Sequence, residues 1–455
     1  MHIKFTFLLS LCFFIGAATR GQDTLNLSIN QSLEMARNNN RLIKIFQHRI
    51  ENQQGKLSEM KSHFYPRVRA EGTMGYNSDP NIYVNEGEFN HIYDDLIDVG
   101  WIDEILDEYL PLPPKDMVLI YGDNIFFKAN VGLYQPISQL TTINTGKKIS
   151  ETDLHISEVE KKNVVSEVLY GVKELYYGIL LETKHEEALQ YRLEFKLAEY
   201  NNALNALEVG EILDVDVRAL RAEISEQEQK LLKTQNKKDD YLLTFKQLVG
   251  VDFNKQLILN MDSTLEPQPM SRQDFTSEAL QLNPSLEIAG LTVKKADLGV
   301  DAAKKEYIPG LTLFMQYNNV QGIPLTPKSY FLGGLNLEWD IISSGERSAV
   351  VSQRKALWNE ASESLAYKKM SIQNEIEKIY MNLRYAVRLK ETAKEAMVAR
   401  TEELRLVQNA VEEGEKLNSQ VLEAKADFAK AEADVLGSEI NYLLLMAKLE
   451  QLMGK

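Results

Sequence analysis

Apolar side chains recur every three to four positions along most of this chain, and every second position in four short stretches. From Asn30 to His63, Leu33, Ala36, Ile43, Phe46 and Ile50 keep helical spacing, and Pro66 stops the run. Val68, Ala70, Met74 and Tyr76 then alternate with Arg67, Arg69, Glu71 and Thr73, which predicts a strand. Phe127, Ala129, Val131 and Leu133 alternate with Lys128, Asn130 and Tyr134, a second strand. Leu311, Leu313, Met315 and Tyr317 predict a third, and Phe331, Leu335, Leu337 and Trp339 a fourth. Each is close to the 9–11 residues that a tilted membrane strand needs. A half-buried soluble sheet would alternate in the same way.

Thr142 to Leu207 contains no proline and keeps a three-to-four rhythm through Val165, Val168, Val172, Leu175, Ile179, Leu189, Leu193 and Leu197. At 1.5 Å per residue such a helix is about 100 Å long. Ser348 to Val411 repeats the pattern, and helices that long imply coiled-coil-like side-by-side packing. Gly210 and Gly414 are helix-stop signals. Returning helices from Asp214 to Val249 and from Asn418 to Met453 complete two antiparallel hairpins.

The whole pattern occurs twice. Tyr65-Pro66 matches Ile308-Pro309 at an offset of 243, and Asn39-Asn40-Arg41-Leu42 matches Asn283-Pro284-Ser285-Leu286 at 244. Further on, Leu133-Tyr134-Gln135-Pro136-Ile137 matches Leu337-Glu338-Trp339-Asp340-Ile341 at 204, as do Tyr176 with Tyr380, Gly210 with Gly414, Arg221-Ala222-Glu223 with Lys425-Ala426-Asp427, and Gly250 with Gly454. The chain therefore reads as a first repeat over 23–254 and a second over 255–455. The change of offset places an insertion of about 40 residues in the first copy. It falls within 77–125, an acidic, proline-bearing stretch with Leu110-Pro111-Leu112-Pro113-Pro114, expected to be an extracellular loop.

Residues 1–22 read as a signal peptide: His2 and Lys4, an apolar run from Phe5 to Ile15, then Gly16-Ala17-Ala18. The only cysteine, Cys12, lies inside it, so neither a disulfide framework nor a cysteine zinc site is expected. The remainder has no apolar run long enough for a membrane helix, so a β-barrel is the remaining way to cross a bilayer. A net charge of −15 (51 Lys and Arg against 66 Asp and Glu) disfavours nucleic acid as a partner. The scattered histidines form no zinc motif, and phosphate-loop, dinucleotide and nucleophile-elbow motifs are missing. No enzyme activity, metal or cofactor is expected.

Four membrane-length strands cannot close a barrel alone, and open sheet edges are not viable in lipid. Two copies would give eight strands and little interior; three would give twelve and a pore. Long helices continuing from such a barrel make a tunnel. With its signal sequence, the Pro66 and Pro309 stops, Asn283-Pro284-Ser285-Leu286, Leu133-Tyr134-Gln135-Pro136-Ile137, Val209-Gly210 with Asp214-Val215-Asp216-Val217, and Leu248-Val249-Gly250, the chain resembles TolC-like outer-membrane efflux proteins.

The resemblance implies a mainly helical fold with a membrane β-barrel: a homotrimer with a twelve-stranded barrel in outer-membrane lipid and a periplasmic α-barrel of helical hairpins. It also implies a passive conduit for small molecules delivered by an inner-membrane pump through a periplasmic adaptor. The family's periplasmic iris falls on Asp216, Gln420 and Glu423 as gate candidates, Gln420 departing from an all-acid ring. Its adaptor-docking tips fall on Gly210, Glu211, Glu413, Gly414 and Glu415. The competing reading is a periplasmic coiled-coil adaptor or scaffold without a barrel.

Overall fold

The computed structural model describes residues 24–84, 117–260 and 272–455. The expected signal peptide and most of the expected acidic insertion lie outside the described residues. The chain divides into two compact units: 1–50 with 156–290 and 363–455, and 51–155 with 291–362.

The first unit is helical apart from one small sheet, in which β1 (Thr24–Leu27) pairs in parallel with β6 (Gln256–Leu259). Its helices are α1 (Ile29–Asn39), α2 (Arg41–Ser62), α3 (Leu140–Glu208), α4 (Asp214–Val249), α5 (Arg272–Leu282), α6 (Pro284–Lys305), α7 (Glu346–Glu412) and α8 (Asn418–Leu452), in whole or in part. The two long helices and their returning partners stand where the periodicity placed them. No described helix is long and apolar enough to cross a membrane.

The single helix expected from Asn30 to His63 is broken at Asn40, which leaves the helical region of the backbone at ψ 126°. Its side-chain oxygen accepts from the amides of Leu42 (2.9 Å) and Ile43 (3.3 Å), capping α2. Its Nδ2 donates to the Leu248 carbonyl at 2.8 Å, holding the end of α4 against the start of α2. Asn283 repeats this arrangement. Its oxygen accepts from Leu286 at 3.0 Å and its Nδ2 donates to the Leu452 carbonyl at 2.8 Å. The offset of 244 is thereby corrected: Asn40 corresponds to Asn283 at 243, the value of the two proline stops.

Two cores follow the same rule. Val168, Val172, Ile179, Phe245 and Val249 are buried in the first, and Ile372, Ile376, Leu383, Leu449 and Met453, each 204 positions later, in the second. Ala36 and Ala279, 243 apart, are fully buried in the two cores. The two cores thus share one packing pattern at a constant spacing.

The second unit carries a four-stranded antiparallel sheet in the order β2 (Arg67–Tyr76), β5 (Ile125–Pro136), β7 (Gly310–Gln321), β8 (Ser329–Glu338). Within the two hairpins Arg67 faces Tyr134 and Gly310 faces Glu338. Gly310 lies 243 positions after Arg67 and Glu338 lies 204 after Tyr134, so the hairpins share one register. The described ends of the expected irregular insertion are not irregular: β3 (Ile82–Val84) and β4 (Met117–Ile120) pair as a short antiparallel ladder.

Candidate functional site: hairpin tips and a two-faced sheet

At both tips a glycine takes the left-handed conformation, Gly210 at φ 81° and Gly414 at φ 79°. A side chain there would strain the backbone, so glycine ends both helices. The amides of Gly210 and Glu211 bond back to Leu207 (3.0 Å) and Ala206 (2.9 Å); those of Gly414 and Glu415 bond back to Val411 (3.0 Å) and Ala410 (2.8 Å). Glu211, Glu413 and Glu415 are exposed beside these turns.

Asp216 and Gln420 occupy one position of the repeat. The Asp216 carboxylate accepts from the Leu213 amide at 3.1 Å, and the Gln420 side-chain oxygen accepts from the Leu417 amide at 3.2 Å. Each satisfies an otherwise free donor at the start of a helix. Glutamine caps the helix as well as aspartate does, which accounts for the departure from an all-acid pattern. Glu423 is exposed on α8. Arg400 is held above the usual arginine range, first by its hydrogen bond to Glu403 and then by the charges of Asp427 and Glu423.

The sequence reading missed two features of the tips. Val209, Leu213, Val215 and Leu417 are all more than 60% exposed there. Leu213 and Leu417 are 204 positions apart, the signal by which they were findable. The second is an ion pair repeated in both copies: Lys196 meets Glu223 at 2.7 Å, and Arg400 meets Asp427 at 3.0 Å. Both partners shift by 204, which explains the matched Glu223 and Asp427. Asp427 also binds Arg192 on α3.

The sheet has two unlike faces. Val68, Met74, Val131, Met315, Phe331, Leu335 and Leu337 are bare on one side. Tyr317 and Phe331, opposite one another, pack there with ring centroids 5.0 Å apart. The other side carries Arg67, Arg69, Glu71, Lys128 and Asn130, and Gln316 donates to the Tyr134 hydroxyl at 2.5 Å. Arg69 lies over the Tyr134 ring at 5.7 Å. A large bare apolar face is unusual for a protein in water and ordinary for a strand facing lipid.

Residues 275–455 match the outer membrane efflux protein family. The match lies in the second half of the chain. Solved structures extend the likeness in fold over nearly all of the chain. The CmeC outer membrane channel of Campylobacter jejuni superposes with a TM-score of 0.70 at 17% identity, covering 94% of this chain and 85% of that one. The outer membrane protein VceC of Vibrio cholerae gives 0.67 at 13%, covering 94% and 96%. The open-state MtrE outer membrane channel of Neisseria gonorrhoeae gives 0.67 at 13%, covering 94% and 88%. Among curated proteins no sequence matches this chain. An adaptor or scaffold without a barrel is not favoured by the family match.

Proposed function

We propose that three copies of this efflux protein close a twelve-stranded barrel in the outer membrane and form the exit conduit of a tripartite export system. The observation that carries this reading is the sheet order: β2 and β8 each have one neighbour, leaving two open edges on a sheet whose outer face is apolar. Unpaired edges in hydrocarbon cost several kcal/mol per group, so the sheet is stable in lipid only once other copies cover both edges. Three copies supply twelve strands, enough for a pore.

The helical hairpins extend the conduit into the periplasm, with the two repeats, 23–254 and 255–455, each giving one strand pair and one helical hairpin. The tips are the docking ends for a periplasmic adaptor that brings an inner-membrane pump. Exposed Val209, Leu213, Val215 and Leu417 give that contact an apolar centre, and Glu211, Glu413 and Glu415 an acidic rim that selects a basic partner. Asp216, Gln420 and Glu423 line the narrow periplasmic entrance, where acids favour cations.

Purified protein run unheated and heated in denaturing gels tests the assembly. A heat-sensitive trimer in the outer-membrane fraction, with conductance in a planar bilayer, is expected. A soluble monomer in detergent-free buffer overturns the reading. Charge reversal of Glu413 and Glu415 is expected to abolish adaptor cross-linking; unchanged cross-linking and export would sink the docking assignment.

A further inference from the structure

The open edges carry enough chemistry to specify how neighbouring copies join. On the polar face, β2 begins with Arg67 and Arg69, while β8 ends with Glu338 and continues into Trp339 and Asp340. Asp340 has a largely exposed side chain whose recorded cation partner, Arg347, lies 3.6 Å away. The strand equivalent to β8 in the first repeat, β5, runs to Pro136, which corresponds to Asp340. Its last two residues pair with β7, a neighbour for which β8 has no counterpart in its own chain. Strand β8 stops two residues short of that equivalent, and β7 is its one neighbour in the sheet.

Which register would that partner adopt? Matching apolar with apolar faces permits only slips of two residues. Copying the β5–β7 register through the repeat sets Glu338 against Glu71, a like-charge pair that disfavours pairing. A slip of two residues in one direction sets Asp340 against Glu71, again acid on acid. The opposite slip sets Glu338 against Arg69 and Asp340 against Arg67. In that register all of Arg67–Tyr76 faces a ten-residue stretch from Phe331 to Asp340, with flush ends.

Barrel closure points the same way. Following the paired positions from Arg67 through Tyr134, Phe314 and Gly334 to the next copy returns to β2 at Thr73, six residues along. Over twelve strands spaced about 4.8 Å apart, with about 3.3 Å per residue, three such steps tilt the strands by about 46°. The repeat-derived register returns at Gly75 and requires about 54°, further from the usual 35–45°.

We infer that β8, extended through Asp340, pairs antiparallel with β2 of a second copy of this chain, with Glu338 opposite Arg69 and Asp340 opposite Arg67. The two ion pairs sit on the lumen face at one rim of the seam. This rests on the proposal that copies of the chain complete the barrel, and it adds the residues that set their register.

Paired cysteines test it, introduced into the full chain with Cys12→Ser. Asn336→Cys with Glu71→Cys and Leu335→Cys with Gly72→Cys are opposite pairs in this register. Adjacent pairs alternate between wide and narrow spacing, so one of the two has the closer geometry. Within one chain the two positions of each pair lie on opposite edges of the sheet, three strand spacings across and six residues along, about 24 Å apart, so a bond must join two molecules. Oxidation of membranes is expected to give covalent multimers from at least one of these pairs. Asn336→Cys with Thr73→Cys or with Arg69→Cys is expected to give none. Multimers from a shifted pair alone, or an intact trimer with no cross-link in any pair, overturn the register while leaving the trimer standing. A monomer throughout overturns both. As a second arm, Arg69→Glu and Glu338→Arg are each expected to lose the heat-resistant oligomer, and the double variant to regain it. Failure of that rescue, with each variant still exported and helical, counts against the ion pair.

Discussion

Ion pairs join α3 to both α4 and α8, and α8 to both α3 and α7, while α4 also packs against α1 and α7 against α5. Lys237 of α4 meets Glu182 of α3 at 2.5 Å, Lys184 of α3 meets Glu432 of α8 at 3.2 Å, and Lys390 of α7 meets Glu439 of α8 at 3.2 Å. The in-chain order is therefore α4, α3, α8, α7. Buried Ala424, Ala426, Ala429, Ala431, Ala433 and Ala447 let α8 sit close to both neighbours. On the outer pair, Leu232 and Leu243 of α4 and Tyr385, Leu389 and Val398 of α7 are exposed. The difference teaches that the ion-paired middle helices bury small residues on both sides, while the outer pair leaves large apolar residues exposed. The sheet shows the same contrast: among the described strands β5 and β7 each have two neighbours in it, and β2 and β8 one.

The largest effect is expected where α4 meets the interior. Phe245→Ala removes a fully buried ring from the first core and should cost about 3–5 kcal/mol, whereas Leu243→Ala, on the open side of the same helix, should stay within about 0.5 kcal/mol for the isolated chain. Thermal melting followed by far-UV circular dichroism would check this, and equal losses would break the comparison. Next comes the clamp at the helix break. Asn40→Ala and Asn283→Ala each leave a carbonyl, of Leu248 or Leu452, without its side-chain donor. Each should destabilise by about 1–3 kcal/mol, and hydrogen exchange at the end of α4 or α8 should rise only in the affected repeat. The smallest effect is expected at the tips. Asp216→Ala and Gln420→Ala should each lose about 0.5–1.5 kcal/mol in the same melting assay. A much larger change in bilayer conductance than in stability would mark either residue as gating rather than capping.

The long elements were legible because their signals are long. Sixty or more residues without proline, in a three-to-four rhythm, leave little besides helix, and period-two stretches of ten residues leave little besides strand. The helix stops were legible as well, since Gly210 and Gly414 each follow a long periodic run, and both take the left-handed conformation. The break at Asn40 was not, because an asparagine within an otherwise periodic run resembles an exposed helical residue. What stops the helix is the Leu248 carbonyl, about 200 positions away, and no local pattern carries that. The tip residues were legible by position but not by what they bind. Asp216 and Gln420 stood out by their count from a glycine, and their bonds to Leu213 and Leu417 depend on backbone geometry.

The asparagine clamps also constrain how the molecule is made. Asn40 emerges early, yet the carbonyl it grips is in Leu248, so this clamp closes only after more than 200 further residues have been synthesised. Contacts so distant along the chain close slowly. Until then Ala36 and Ile43 lack Phe245 and Val249, the residues that share their core, and the earliest helices wait on the last of the first hairpin for part of their cover.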